Sequence, residues 1–248
     1  MNWLANAWIW VTTVGLVIAG TPVVALVWAC TAPFDRGRYA AGRTFRLIGV
    51  TQVKLNPLWT FEVSGTMVRD PRRPYVAVSN HESWADVFLI SHLPWEMKWL
   101  SKDAMFKIPF FGWMMRMAGD ISIRRGERGS GVQALAAARE RLSNHVSVMV
   151  FPEGTRSRDG SLLPFKDGAF RLAIESGAPI LPMVIAGTRH AMAKGSMRFT
   201  RAHARLRVLD PIDTAGLSID DVAALRDRTR DLIAAAHTQL LRELEAGV

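Results

Sequence analysis

Hydrophobic residues make up 49% of the 248 residues, and the mean hydropathy of +0.10 is high for a soluble protein and low for a transporter with many spans. The formal net charge of +9 suits three partners: nucleic acid, anionic lipid headgroups and phosphorylated substrates. Cys30 is the only cysteine, which excludes an internal disulfide and a cysteine-rich metal site.

The first 34 residues carry no charged side chain and are mostly Ala, Val, Leu, Ile and Trp. Because about 20 apolar residues span a bilayer core of roughly 30 Å, this segment predicts membrane attachment. Tryptophans near its two ends are typical of rings at membrane interfaces. Gly20, Thr21 and Pro22 interrupt the run, so a kinked helix or a re-entrant hairpin is as possible as a straight span. A cleaved signal peptide and a buried core helix are the alternatives.

A basic segment follows, in which apolar residues separate Arg36, Arg38, Arg43 and Arg46. This pattern indicates a helix lying on an anionic membrane surface, although a solvated helix face is an alternative. Positive charge on this side of the apolar segment predicts that the rest of the chain is cytoplasmic, at the inner face of the plasma membrane. We therefore divide the chain into an attachment segment, residues 1–50, and a catalytic domain, residues 51–248.

Short apolar runs alternate with helical patterns after residue 50, which predicts an α/β domain with a mixed sheet flanked by helices. The predicted strands cover residues 53–65, 75–78, 98–101, 121–123, 146–151, 179–185 and 198–208. The predicted helices cover residues 87–90, 109–117, 132–142, 167–175 and 218–244.

Polar and charged side chains follow three of these strands. Because strand ends in α/β sheets commonly present the chemistry, we expect these loops to meet at one edge. Arginine binds phosphate bidentately, and glycine lets backbone approach a ligand closely. The candidates are His81 and Asp86 after the second strand, Arg124 and Arg125 after the fourth, and Glu153, Gly154, Thr155, Arg156 and Lys166 after the fifth.

His81 and Asp86 have the spacing expected of a catalytic pair. An aspartate in the first turn of a helix can fold back and hold one imidazole nitrogen, which leaves the other nitrogen to accept a proton. The alternative is structural: a hydrogen-bonded histidine beside an aspartate that caps a helix.

Several blocks carry a family resemblance. Residues 80–86 match a His-x-x-x-x-Asp block, residues 151–157 (Phe-Pro-Glu-Gly-Thr-Arg-Ser) match a phosphate-binding block, and residues 164–170 and 178–182 match its continuation and the last block. In these blocks the chain resembles the phospholipid acyltransferases typified by 1-acyl-glycerol-3-phosphate acyltransferase, from about residue 53 to about residue 198. One block departs: Arg124 stands where the family has an acidic residue, and Arg125 takes the place of the family's arginine.

The resemblance implies the glycerolipid acyltransferase fold and an acyl transfer that needs no cofactor and no metal. The donor would be acyl-CoA or acyl-carrier protein, the acceptor a lysophospholipid, and the product phosphatidic acid. His81 would be the general base and Asp86 its orienting carboxylate. Arg125, Arg156 and Lys166 would bind the acceptor phosphate beside Gly154 and Thr155, and Glu153 would orient the glycerol hydroxyls.

Other interpretations stay open. The acceptor could be another lysolipid, such as a lyso-ornithine lipid, and a non-enzymatic lipid-binding protein is an alternative of a different class. Nucleic acid is not an expected partner, because the sequence has no recognisable nucleic-acid motif. An apolar helix beside the membrane is a candidate wall for an acyl-chain slot, formed by Phe110, Trp113, Met114 and Met117.

Overall fold

The computed structural model describes residues 3–124, 126–127 and 129–247. Its seven strands form one mixed sheet in the order β1-β7-β6-β2-β5-β3-β4, in which only β6 and β7 pair antiparallel. This confirms the predicted α/β class. The strands are β1 (Trp59–Gly65), β2 (Val76–Ser79), β3 (Met97–Lys102), β4 (Ile121–Ile123), β5 (Ser147–Val150), β6 (Ile180–Ala186) and β7 (Ala202–Val208).

Eight α-helices accompany these strands in the described part of the chain. Short 3₁₀ turns at Thr188–His190 and Ile219–Asp221 add to them. The helices are α1 (Trp3–Thr31), α2 (Tyr39–Leu55), α3 (Ala85–Ile90), α4 (Asp103–Phe106), α5 (Phe111–Ala118), α6 (Ser130–Ser143), α7 (Gly168–Ser176) and α8 (Val222–Glu245).

The central strands are covered on both faces. Successive side chains point to opposite sides of a strand, so Val76 and Val78 contribute to one core while Ala77 contributes to the other. The first core packs against α6, α7 and α8, and the second against α3 and the segment leading into β3. Every residue of β6 is buried, which explains its continuous apolar sequence, whereas β7 alternates because one of its faces is partly exposed.

Helix α1 is continuous through Pro22, so of the alternatives considered the hairpin is not present in the described residues. It instead packs against α2 and α5. Gly20 permits close contact between α1 and α2, because a side chain there would collide with Ile48. Helix α1 is long and apolar enough to cross a membrane, and only a small part of its apolar surface is buried against the domain.

The arginines of the basic segment mostly face the protein, which differs from the expected lipid-facing helix. Arg46 is 6% exposed and forms ion pairs with Asp120 and with Glu96. Lys98 pairs with Glu96 at 3.1 Å in the same buried cluster. Arg46 is attracted by Glu96, directly before β3, and by Asp120, in the turn after α5. The apolar surface of the attachment segment is supplied by α1 instead.

Two further arginines of the basic segment are bonded to backbone carbonyls, and α2 extends further than the sequence predicts. Arg43 donates to the Leu93 carbonyl at 2.6 Å, and Arg38 donates to the Arg116 carbonyl. The predicted strand at residues 53–65 is wrong at its start, because the apolar period of α2 continues to Leu55 before β1 begins. The division of the chain at residue 50 falls inside α2 and stays a prediction.

We predict that Arg46→Met lowers the free energy of unfolding by about 3–5 kcal/mol, because the substitution leaves the buried carboxylate of Asp120 without its cation. Chemical denaturation in detergent, followed by tryptophan fluorescence, measures the change. Lys107→Met is the control, since Lys107 pairs with Asp103 at an exposed position and we expect no measurable effect. Equal stability of the two variants would contradict a stabilising role for the cluster.

Candidate active site

The loops after β2 and β5 meet because these strands are parallel neighbours in the sheet. The His81 backbone is held by the second loop: its N–H donates to Glu153 Oε1 at 2.9 Å, and its carbonyl accepts from the Ser157 N–H at 2.8 Å. The predicted meeting of these two loops is therefore present in the structure. Their contact fixes the main chain on which the imidazole is mounted.

The imidazole of His81 is paired with Asp86 as the spacing predicts. Nδ1 lies 2.7 Å from Asp86 Oδ2, and the ring stacks on Phe151 with 3.9 Å between centroids. Asp86 is fully buried, whereas the His81 side chain is 15% exposed. A carboxylate partner requires the proton on Nδ1, so Nε2 carries the lone pair that can accept a proton.

The carboxylate of Asp86 is bonded on both oxygens. Oδ2 accepts from His81 and also from the N–H groups of Glu82 and Ser83, at 2.8 Å and 3.0 Å. Oδ1 accepts from the hydroxyl of Thr188, which no motif in the sequence marks. These donors compensate for burying a negative charge and hold the carboxylate plane in one orientation.

The Glu153 carboxylate is bonded to the protein backbone, a different role from the predicted contact with a substrate. Its two oxygens accept from the N–H groups of His81 and Leu163, and the residue is 4% exposed. Burial raises the pKa of Glu153 to about 7, and the two backbone hydrogen bonds act in the opposite direction. Its observed task is to hold the two loops together; a contact with glycerol hydroxyls stays a prediction.

Three cationic side chains lie at the loop of residues 151–157, one from the loop itself and two from outside it. The Arg156 guanidinium lies over the Trp84 ring, 5.3 Å from the ring centroid, which brings it to the His81 segment. Lys166 crosses Gly154, where an added Cβ would lie 2.9 Å from its Nζ. Lys194 donates to the hydroxyl of Thr155 at 3.2 Å and to the Arg156 carbonyl at 2.7 Å.

Lys194 is a residue that the sequence did not reveal. It belongs to the irregular segment between β6 and β7, and no motif marks it. The structure therefore adds a third positive charge to the two predicted ones, at a loop whose Gly154 adopts a positive φ of 70°. Such a concentration of cations and backbone amides fits a phosphate group.

The remaining candidates lie in different places. Arg125 falls outside the described residues, and its neighbour Arg124 forms an exposed ion pair with Glu127. Met114 is fully buried among residues of α1, α2 and α5, and Met117 is partly buried beside it. Phe110 and Trp113 are exposed and in mutual ring contact. The acyl-chain slot that these four were expected to line stays a prediction.

Asn80 and Glu82 are further residues without a predicted role. The Asn80 amide exchanges two hydrogen bonds with the backbone of Ile185, both 2.8 Å long, and so holds the end of β2 beside β6. Glu82 is 3% exposed and lies 3.0 Å from His237 Nε2 on α8. Both flank His81, but their partners are more than 100 residues away, so no local pattern predicts these contacts.

The fold and this site define a class of protein, and comparisons with known proteins agree with it. Residues 60–186, just over half of the chain, match the family model described as Acyltransferase. The chain belongs to this acyltransferase family, as its motifs predict.

Individual relatives make the similarity more specific. The chain is 40% identical over 171 residues to human 1-acyl-sn-glycerol-3-phosphate acyltransferase alpha, a match that covers 68% of this chain and 60% of the relative. The 1-acyl-sn-glycerol-3-phosphate acyltransferase of Saccharomyces cerevisiae is 33% identical over 164 residues, covering 64% of this chain and 54% of the relative. The chain thus spans somewhat over half the length of these curated relatives.

A solved structure matches nearly the whole chain. The crystal structure of the 1-acyl-sn-glycerophosphate (LPA) acyltransferase PlsC from Thermotoga maritima aligns with a TM-score of 0.81 at 28% identity. The alignment covers 96% of this chain and 95% of that one. The similarity therefore includes the N-terminal helices as well as the sheet.

We predict that Glu153 makes stability fall as the pH rises through the weakly acidic range. The unfolded carboxyl ionises near 4.5 and the folded one near 7, so the stabilisation is complete below pH 4.5 and is lost by about pH 7. In Glu153→Gln this part of the pH dependence, about 3 kcal/mol, should disappear. Denaturant unfolding at a series of pH values measures it.

The control for this experiment is Glu175→Gln, which alters an exposed carboxylate on α7. Its unfolding free energy should follow the wild-type pH dependence. A Glu153→Gln curve parallel to that of the wild type would show that the folded carboxyl titrates normally.

Proposed function

We propose that this protein transfers an acyl chain from a thioester to the free hydroxyl of 1-acyl-glycerol-3-phosphate, giving phosphatidic acid. The observation that carries the proposal is the pairing of His81 with buried Asp86 beside a cation-rich loop, in a chain that belongs to the acyltransferase family. The names of the relatives support the same acceptor.

His81 acts as the general base in this proposal. Nε2 takes the proton of the acceptor hydroxyl while the hydroxyl oxygen attacks the thioester carbonyl carbon. The tetrahedral adduct then collapses, the carbon–sulfur bond breaks, and the imidazolium returns the proton to the departing thiolate. The acceptor is itself the nucleophile, so no acyl-enzyme forms, and Asp86 stabilises the imidazolium throughout.

The acceptor phosphate binds at the loop of residues 151–157 in this proposal. Arg156 supplies a planar guanidinium close to Trp84 of the His81 segment, and Lys166 lies across Gly154. With the phosphate held there, the glycerol hydroxyl is brought to His81 Nε2, and the rate gain comes in large part from this positioning. The donor is proposed to be acyl-CoA or acyl-carrier protein, and the exchange of one acyl group requires no cofactor.

The test offers purified full-length protein a mixture of acyl-CoAs and lysolipids and identifies the products by mass spectrometry. We expect phosphatidic acid from lysophosphatidic acid. His81→Ala should lower its formation at least about 100-fold, because the general base is lost. His203→Gln is the control, since His203 is an exposed residue of β7 paired with Glu62, and its activity should equal that of the wild type.

Two outcomes would change the proposal. Acylation of a lyso-ornithine lipid or another lysolipid, without turnover of lysophosphatidic acid, would keep the acyl transfer and replace the acceptor. Wild-type turnover by His81→Ala would remove His81 from the mechanism.

We propose that α1 attaches the protein to one face of the bilayer and does not cross it. Near its start, α1 is bound to the domain, because Asn6 exchanges two hydrogen bonds with the backbone of Phe199. Near its end, Asp35 pairs with Arg72, and Gly37 packs closely against the turn before β5. A spanning helix would carry one of these ends roughly 30 Å away, across the hydrocarbon core.

The charges at the two ends of α1 also support a helix that lies along one face of the bilayer. Arg198 and Arg201 are exposed and line a cavity of about 530 Å³ beside Trp3, so the tertiary structure brings positive charge to an end that has none in sequence. Arg36 and Arg38 follow the other end. Arginines at both ends of an apolar helix favour a helix lying in one leaflet with its ends near anionic headgroups. The cytoplasmic side remains the proposed location.

We expect that replacing Val11, Val14 and Ile18 by glutamate releases the protein from vesicles of phosphatidylglycerol and phosphatidylethanolamine, as measured by flotation. These side chains are exposed on α1, so burying their charges in lipid is unfavourable while the fold is unaffected. Leu232→Glu, on the exposed face of α8, is the control and should remain bound. Retention of the triple variant on vesicles would argue against α1 as the anchor.

A further inference from the structure

Thr188 contacts the catalytic pair from a distant part of the chain. It lies in the 3₁₀ turn that follows β6, is fully buried, and its hydroxyl is 2.5 Å from Asp86 Oδ1. The turn is set by Gly187, whose φ of 91° is accessible to glycine and whose missing side chain lets it approach the His203 carbonyl of β7. The end of β6 and the contact of Gly187 with β7 therefore place Thr188 beside Asp86.

The hydroxyl has one proton and two carboxylates within reach. Asp86 Oδ1 at 2.5 Å is closer than Glu82 Oε2 at 3.3 Å, so the proton belongs to the bond with Asp86. Glu82 has other partners: the Arg189 N–H at 3.3 Å and His237 Nε2 at 3.0 Å. These contacts hold Glu82 behind Thr188 and leave Asp86 as the acceptor.

We propose that Thr188 is a positioning residue for acyl transfer, acting through Asp86; this inference rests on the proposed function. By occupying Oδ1, the hydroxyl prevents the carboxylate from rotating and keeps Oδ2 directed at His81 Nδ1. It also draws negative charge toward Oδ1, which moderates how strongly Oδ2 holds the imidazolium. Thr188 thus sets both the direction and the proton affinity of the base.

The test compares Thr188→Val, which keeps the shape of the side chain and removes its hydroxyl, with wild-type enzyme in the same mass-spectrometric assay. We expect kcat to fall about 10- to 100-fold with KM nearly unchanged, the loss typical of a hydrogen bond to a charged group. The acid limb of the kcat/KM profile should move to higher pH by about half a unit, because an uncompensated carboxylate holds the imidazolium more tightly.

Other charged groups near the pair do not change in this comparison. Glu82 precedes Asp86 on the same segment, Glu153 reaches the His81 backbone from the loop after β5, and His237 lies behind Glu82 on α8. All three are present in both proteins, so a displaced limb reports the hydroxyl alone.

Two further comparisons separate positioning from folding. Thr188→Ser and Thr188→Ala both lack the methyl group and differ in the hydroxyl, so serine should retain near wild-type kcat and alanine should not. Thr229→Val is the control for losing a buried hydroxyl elsewhere, since Thr229 donates within α8 to the Leu225 carbonyl, and its kcat and pH profile should be unchanged.

The results that overturn the inference are distinct from those that overturn the function. Wild-type kcat and pH profile in Thr188→Val, or equal kcat in the serine and alanine variants, would mean that the hydroxyl does not position the base. A loss of folded protein with an unmoved acid limb would assign Thr188 a structural role alone. Absence of transfer by wild-type enzyme would overturn the proposed function and, with it, this inference.

Discussion

The buried carboxylate of Asp86 is the constraint on which the arrangement of the site depends. A fully buried negative charge is costly unless donors surround it, and here four donors do so: the His81 imidazole, the amides of Glu82 and Ser83, and the hydroxyl of Thr188. Three of them come from the turn that carries the imidazole, and the fourth comes from the end of β6. Satisfying one charge therefore orients the base and ties its turn to the sheet.

A second buried ionic group performs a related task between the N-terminal helices and the sheet. Arg46 of α2 is bonded to Glu96, directly before β3, and to Asp120, directly before β4, so the helix pair at the N-terminus is joined to the sheet by charge as well as by apolar packing. The hydrophobic surface of α1 remains exposed in this arrangement. Helix α1 is thus firmly attached to the domain, and it still presents an apolar face that can be buried only in another apolar medium.

The strands and most of the helices along the chain, and the His81–Asp86 pair, were accessible from sequence because each depends on neighbouring residues, whereas the order of the strands in the sheet was not. A strand or helix has its own periodicity, and five residues separate the histidine from the aspartate, so the contact is local. Glu153 illustrates the limit: its loop was identified, but sequence does not tell whether a carboxylate faces a ligand or two backbone amides. The basic segment illustrates it again, since the pattern of α2 suits lipid and Arg46 instead meets partners 50 and 74 residues away.

What the sequence by itself determined is the α/β class, the apolar first helix, the family and the residue types of the site. Only the tertiary structure decided that Thr188 bonds to Asp86, that His237 supports Glu82, and that Lys194 joins the loop at Thr155. The physical reason is that these contacts bring together residues 39 to 155 positions apart, and their energy comes from burial and mutual orientation after the sheet has formed. A pattern along the chain reports which groups are present, whereas burial of charge in the folded chain determines which of them must meet.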